Sequence, residues 1–356
     1  MKISNFNIDE TSSTFIIAEI GINHNGQIDI AKSLIEECAK AGVDAVKFQK
    51  RSAEDVVLKK KVNSSPVGYL SKNINDIKKD QPEYGNWSYP DIRVELTNEN
   101  FIELKKFSED KGLIFFASPW DLPSLKFLVD INVPAIKIPS VEITNYQFLD
   151  QISETRLPLI LSTGTATIED VDNAVKLISK KNKDLALLQC TSSYPSKFEE
   201  IDLKVINTFK QRYGLIVGFS GHEPGISTPI AAVAIGAKII EKHVTLNKDM
   251  NGTDHLASID MDELKQMVKS IREVEKSLGS PEKKKYDSED VLISILGKSL
   301  VTKTDLKKGS ILTESMIISK GPPHGDFNAS EINNILGKKL KVDKFSDEYL
   351  KIDDIE

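Results

Sequence analysis

The sequence predicts an α/β fold, a (β/α)8 TIM barrel followed by a small, mostly β domain. Three observations carry this reading. Eight short apolar, β-branched runs recur along the first part of the chain. Amphipathic helix-period segments separate them, and the whole spans about 270 residues, which suits eight βα units. Polar residues follow the end of every run, where barrel enzymes gather their reactive groups.

The predicted strands, in order, are Phe15 to Ile20, Ala45 to Phe48, Leu113 to Ala117, Ala135 to Ile138, Leu159 to Leu161, Leu185 to Gln189, Leu215 to Phe219 and Lys238 to Ile240. Between them, Ile30 to Ala41, Asn98 to Lys111, Leu122 to Ile131, Ile168 to Lys180, Leu203 to Tyr213 and Ile226 to Ile235 read as helices, with Met261 to Leu278 closing the series. An open doubly wound sheet is the rival. It normally needs fewer strands and a Gly-rich phosphate turn, and Gly21-Ile22-Asn23-His24-Asn25-Gly26 is not that fingerprint. Arg51 to Asp91 is long, polar and Lys-rich, and is expected to form an extended loop covering the site. The barrel domain is assigned to 1–280 and a Pro- and Lys-containing linker to 281–296. The small domain, 297–356, shows short apolar pieces at Ser299 to Val301, Ser310 to Leu312, Met316 to Ile318 and Lys339 to Val342.

Composition narrows the function classes. Lys and Arg number 47 against 53 Asp and Glu, a formal net charge of −6, so bulk attraction to nucleic acid or an anionic membrane is excluded. An anionic substrate must be held by local groups. The two cysteines, Cys38 and Cys190, lie in apolar stretches and read as small buried hydrophobes, which fits a reducing cytoplasm. The polar first residues lack the order of a signal peptide, and the apolar runs fall short of the roughly 20 residues a membrane span requires.

Four of the five histidines, His24, His222, His243 and His255, sit at or just beyond strand ends. His222 and His243 end neighbouring strands, which suits a shared divalent metal bound through imidazole nitrogens. Lys47, Lys137 and Lys242 lie in or beside apolar strands and need anionic partners, for which Glu142 and Glu241 are at hand. Lys137 with Ser118, Ser140, Ser162 and Ser220 also suits a phosphate or carboxylate cradle, and a buried Lys137 leaves a Schiff-base role open. Glu19 and Asp254 are the carboxylates best placed to move or orient protons, the alternative being salt bridges to the strand lysines.

The motifs Ile17-Ala18-Glu19-Ile20-Gly21-Ile22-Asn23-His24-Asn25-Gly26, Lys47-Phe48-Gln49-Lys50, Gln189-Cys190-Thr191-Ser192-Ser193-Tyr194-Pro195, Gly218-Phe219-Ser220-Gly221-His222-Glu223 and Gly252-Thr253-Asp254-His255 resemble those of the sialic acid synthases. The C-terminal piece resembles their antifreeze-like (SAF) domain at Leu296-Gly297-Lys298-Ser299-Leu300 and Leu336-Gly337-Lys338-Lys339. The resemblance implies a domain-swapped homodimer in which the partner's SAF domain completes each site, with a divalent ion on His222 and His243. Mn2+ is the first expectation, with Mg2+ or Co2+ as alternatives. Phosphoenolpyruvate is then expected against Lys47, Gln49, Ser118, Lys137, Ser140, Ser162, Ser192 and Ser220, with Glu142 in the same substrate-binding set. The amino sugar is expected near Glu19, Tyr194 and Asp254, with Glu19 and Asp254 catalytic. The implied reaction joins the enol carbon to an open-chain aldehyde, adds water and expels phosphate by C–O cleavage.

The chain departs from the bacterial pattern in two places. An Arg that bacterial enzymes acting on free N-acetylmannosamine carry in the SAF domain is replaced by Gly321, within Ser319-Lys320-Gly321-Pro322-Pro323-His324-Gly325. Animal-type synthases, which use the 6-phosphorylated sugar, also lack it and share Phe48-Gln49-Lys50 and Ser220-Gly221-His222-Glu223, so a 9-phosphate product stays open, as does substitution by Lys320 or His324. Ser192 stands where some bacterial members have Asn. A Schiff-base aldolase through Lys137 is a rival of another enzyme class. A sugar- or ice-binding protein is the non-enzyme rival, and it leaves the strand-end residues without purpose.

Overall fold

Continuous apolar runs are what a parallel sheet covered on both faces demands, and in the computed structural model, which describes residues 1–56, 95–250 and 252–356, they form eight parallel strands. These are β1 (Phe15–Gly21), β2 (Ala45–Lys50), β3 (Ile114–Pro119), β4 (Ile136–Ile138), β5 (Leu159–Ser162), β6 (Leu185–Cys190), β7 (Ile216–Gly221) and β8 (Ile239–His243). They close into a barrel in chain order, with β8 pairing β1. Most strands run further toward their carboxyl ends than the apolar pattern alone indicates. Ladder hydrogen bonding continues there because inward side chains at the barrel mouth need no apolar neighbour.

A helix follows each strand: Ile28–Ala41, Asn98–Asp110, Leu122–Asp130, Tyr146–Glu154, Ile168–Ile178, Val205–Tyr213, Ser227–Ala234 and Met261–Leu278. Their limits have local causes. Thr97, Thr167 and Asp260 each accept from the backbone N–H three residues on and form capping boxes, while Asp121 caps the helix carrying Pro123 in its first turn. An N-terminal hairpin, Lys2–Ile3 with Phe6–Asn7, adds to the predicted elements. Its flanking Ile3 and Ile8 are fully buried in the same core as the strands, and Phe6 packs on Phe15 at 4.9 Å.

The chain divides into two compact units, Met1–Gly279 and Ser280–Glu356. The segment assigned to a linker carries a helix, Asp290–Leu296, whose Val291, Leu292, Ile295 and Leu296 are exposed. Beyond it Ser299–Thr302 pairs antiparallel with Ile317–Lys320, and isolated bridges such as Leu306 with Lys344 and Ile311 with Lys339 complete a small β unit. Leu300, Leu312, Ile335, Leu340 and Leu350 form its own core. In this unit Lys320 donates to Asp347, and His324 is exposed. Of the expected cover, Arg51 to Asp91, all beyond Val56 lies outside the described residues. Among the described residues no helix is long and apolar enough to cross a membrane.

Candidate active site

Side chains alternate along a strand, so β1 and β2 turn Glu19, Lys47 and Gln49 inward while the later strands present Ser118, Lys137, Ser162, Cys190, Ser220, Glu241 and His243. The register sets these residues next to one another. Glu19 lies opposite Lys47 on one side and His243 on the other, Gln49 opposite Ser118, and Ser220 opposite both Glu241 and Cys190. A bulge between Glu19 and Gly21 shifts the β1–β2 pairing just where Glu19 enters the mouth. One cavity of about 280 Å3 is lined by Glu19, Lys47, Gln49, Ser118, Lys137, Ser140, Ser162, Ser192, Tyr194, Ser220, His222 and His243.

Two of the predicted residues do not line it. Glu142 ends a 3-10 turn, Ser140–Glu142, which carries it past the strand end, and it accepts from the Asn145 side chain at 2.7 Å. Asp254 lies buried beside the cavity, its Oδ2 3.6 Å from His243 Nδ1 and its Oδ1 accepting from Thr253 at 2.8 Å. Six further residues complete the lining: Trp120, Pro139, Val141, Thr165, Cys190 and Glu241. Glu241, expected from the sequence only as a partner for the strand lysines, had the signal to be placed in the site as well, since it shares a strand face with His243 two residues on.

Glu241 is the common partner of the buried lysines. Its carboxylate is 3.4 Å from Lys137 and 3.6 Å from Lys47, and it accepts from Ser220 at 3.0 Å. Lys47 also reaches Glu19 at 3.0 Å and donates to Ser118 at 3.2 Å, and Gln49 donates to Glu19 at 3.1 Å. Burial works against both charges in these pairs, but Lys137 and Lys47 hold Glu241 below the usual carboxylate range. Likewise Glu19 and Glu241 hold Lys47 above the ordinary lysine value. Burial pushes Glu19 up, with repulsion from Glu241 adding to it, and pushes Lys137 down. The cluster thus holds a firmly protonated lysine, a firmly ionised glutamate and a carboxyl raised toward proton donation. Lys242 is separate, paired to Glu223 at 3.0 Å.

The two strand-end imidazoles stand side by side, ring centroids 5.2 Å apart, and Tyr194 packs on both at 4.0 and 5.6 Å. His222 Nδ1 lies 2.9 Å from the Thr191 carbonyl. A carbonyl only accepts, so the proton is assigned to Nδ1 and the lone pair to Nε2. His243 is held well below the ordinary histidine value by burial, then by His222 beside it, and is neutral at pH 7. Its buried Nδ1 makes no hydrogen bond. Burial lowers His222, but the Cys190 sulfur and the Thr191 carbonyl outweigh it and hold this ring above the ordinary histidine value. A divalent cation fits the pair, His243 as it stands and His222 on losing its proton, with Asp254 behind one ring. Among the described residues no group of three or more His, Cys, Asp or Glu is arranged to hold an ion. Cys190 Sγ is 3.9 Å from His222 Nδ1, and His222, after burial's opposing effect, draws its thiol down to about 7.

His24 and His255 stand apart from this pair. His255 is buried and 2.7 Å from Thr245 Oγ1. His24 is buried, stacks on Phe48 at 5.9 Å and accepts from Gly26 N–H at 3.1 Å. Burial, then the Arg51 charge, lowers it from 6.5 to about 4. Between those values the unfolded chain binds a proton the folded chain does not, so His24 makes stability fall as pH drops from 6.5 toward 4, by on the order of 3 kcal/mol. His24→Asn, which keeps an acceptor for Gly26, is expected to flatten that part of a denaturation-versus-pH curve; an unchanged slope would refute the assignment.

The model of the NeuB family matches residues 34–283, and that of the SAF domain residues 297–356. The chain is 38% identical to N,N'-diacetyllegionaminic acid synthase of Campylobacter jejuni, over 95% of this chain and 99% of that one. It is 36% identical to N-acetylneuraminate-9-phosphate synthase of Homo sapiens, over 92% and 89%. Among solved structures, N-acetylneuraminic acid synthetase of Leptospira borgpetersenii, in complex with citrate, superposes with a TM-score of 0.69 at 33% identity, covering 82% of this chain and 94% of that one.

Proposed function

The chain belongs to the NeuB family, and on that premise we propose that it is a nonulosonic acid synthase. It joins phosphoenolpyruvate to an open-chain amino sugar of the N-acetylmannosamine type and releases phosphate. One observation supports this above the others: buried polar atoms without hydrogen bonds concentrate on the lining of one cavity, at Glu19 Oε2, Ser162 Oγ, Glu241 Oε2 and His243 Nδ1. Unsatisfied buried groups are rare in folded proteins and mark places where a ligand supplies the missing partner.

In this reading Lys47, Lys137 and the hydroxyls of Ser118, Ser140, Ser162, Ser192 and Ser220 bind the carboxylate and phosphate of the donor by charge-assisted hydrogen bonds. Gln49 joins them on the donor side, and Tyr194 bounds the sugar side. The donor's C3 forms the new bond to the aldehyde carbon, water adds at C2, and the C2–O bond breaks as phosphate leaves. A divalent cation on His222 and His243, Mn2+ by preference, supplies Lewis acidity when bound. Glu19, its carboxyl raised by burial, delivers a proton to the oxygen that was the aldehyde. Ionised Glu241 keeps Lys47 charged, and Asp254 orients the His243 ring. The same reading has the protein act as a domain-swapped homodimer. Lys320, which donates to Asp347, and His324 are the two side chains that could stand in for the absent SAF-domain Arg.

A panel of free and 6-phosphorylated hexosamines, incubated with phosphoenolpyruvate and Mn2+, tests the proposal by phosphate release and product mass. Faster turnover of mannosamine 6-phosphates would assign a 9-phosphate product. Pyruvate release insensitive to EDTA, with borohydride trapping on Lys137, would replace the proposal by a Schiff-base aldolase.

Gly164 offers a probe of the donor side. A Cβ there would stand 2.2 Å from Ser192 Oγ and 2.8 Å from Ser140 Oγ, so Gly164→Ala must turn both hydroxyls away. Two weakened hydrogen bonds at roughly 1 kcal/mol each raise the KM for phosphoenolpyruvate by about 10-fold or more. A KM unchanged in steady-state kinetics would remove these serines from the donor site.

A further inference from the structure

The residues adjoining the two imidazoles form a buried ion pair to which the proposed reaction gives no part. Glu223 directly follows His222, and Lys242 directly precedes His243. Lys242 Nζ lies 3.0 Å from Glu223 Oε1 and also donates to the Glu223 backbone carbonyl, with the two side chains 0% and 1% exposed. Neither lines the cavity. Alternation along β8 sends Lys242 to the face opposite Glu241 and His243, so the pair stands behind the strand ends rather than among the substrate-facing groups.

The neighbouring backbone is shaped around this contact. Lys242 is the register partner of Gly221, the last residue of β7. A Cβ at Gly221 would stand 2.6 Å from Glu223 Oε2 and 2.9 Å from Oε1, a separation real Cβ atoms do not show. Glycine therefore lets the Glu223 carboxylate fold back over the end of β7 to meet the lysine of β8. Gly221-His222-Glu223 and Lys242-His243 interlock, with an imidazole next to each half of the lock.

Stability alone is a weak reason for such a pair. Desolvating two charges costs about as much as their attraction returns, and apolar replacements of similar volume are often neutral or stabilising. A buried pair does impose one geometry on the segments it joins, because any other leaves a charge unpaired. We propose that Glu223 and Lys242 are positioning residues that fix the spacing of His222 and His243, and so set the affinity of the imidazole pair for a divalent cation. This rests on the metal reading given above.

The test uses the full-length protein without substrates, titrated with Mn2+ in a calorimeter, with thermal melts alongside. Glu223→Leu combined with Lys242→Met is expected to keep the melting temperature within a few degrees while weakening Mn2+ binding by about 10- to 100-fold, the usual scale for groups behind metal ligands. Lys242→Arg, which keeps the pair, is expected to retain affinity within about 3-fold. A folded double variant that binds Mn2+ like the parent overturns the proposal, as does an arginine variant as weak as the double. Should the double variant not fold, Glu223→Gln carries the test, with parent affinity overturning the proposal and a loss of about 5-fold or more supporting it. His222→Ala run in parallel separates the two levels. If it too binds Mn2+ like the parent, the metal reading itself fails. If it alone loses binding, the imidazoles hold the cation and the pair behind them is structural only.

Discussion

His222→Ala and His243→Ala are each expected to lower turnover about a thousandfold or more, roughly 4 kcal/mol of barrier, while leaving the barrel folded. The expectation follows from the small number of ligands: among the described residues no group of three or more His, Cys, Asp or Glu could hold an ion, so loss of either ring removes half of the imidazole pair. Each ring is buried at the mouth rather than in the apolar layers below, so its loss opens space toward an existing cavity and costs little stability. Circular dichroism melts and Mn2+ titration check the two halves of the statement. Full turnover in either variant would end the metal assignment.

Lys47→Met acts differently, striking fold and function together. It leaves Glu19 and Glu241 facing each other in a buried site with Lys137 as the remaining cation of the cluster. Breaking a buried pair by removing one member typically costs about 3–5 kcal/mol, which in a unit of this size lowers the melting temperature by on the order of 10 °C. Loss of one charged hydrogen bond to the donor adds a fall of roughly 100-fold in kcat/KM for phosphoenolpyruvate. The loss of stability has a pH signature. With the cation gone, one carboxyl is expected to take up a proton, so the variant's deficit shrinks as pH falls toward 5. A deficit independent of pH between 5 and 8 would contradict the charge assignments at Glu19 and Glu241.

The barrel was legible because a strand buried on both faces is a continuous apolar run, and eight such runs leave few alternatives. The strand-end residues were legible for the same reason, since chemistry-bearing side chains interrupt the pattern only at the mouth. Three things were hidden. The hairpin at Lys2–Ile3 and Phe6–Asn7 has strands too short for any periodicity to register. Glu241 was at hand as a lysine partner, but its being shared by both Lys47 and Lys137 depends on the register of non-adjacent strands, which spacing along the chain does not fix. Glu142 reads like its neighbours, yet a single 3-10 turn after Ser140 moves it from the cavity to Asn145.

Pairing of β8 with β1 sets His243 against Glu19, residues 224 positions apart by subtraction of their numbers. As the polypeptide leaves the ribosome, seven strands and nearly every hydroxyl of the pocket emerge while the second imidazole is still unmade. Contacts of such long sequence separation form late and slowly, so a nascent chain leaves the cavity unfinished until the last stave closes the ring.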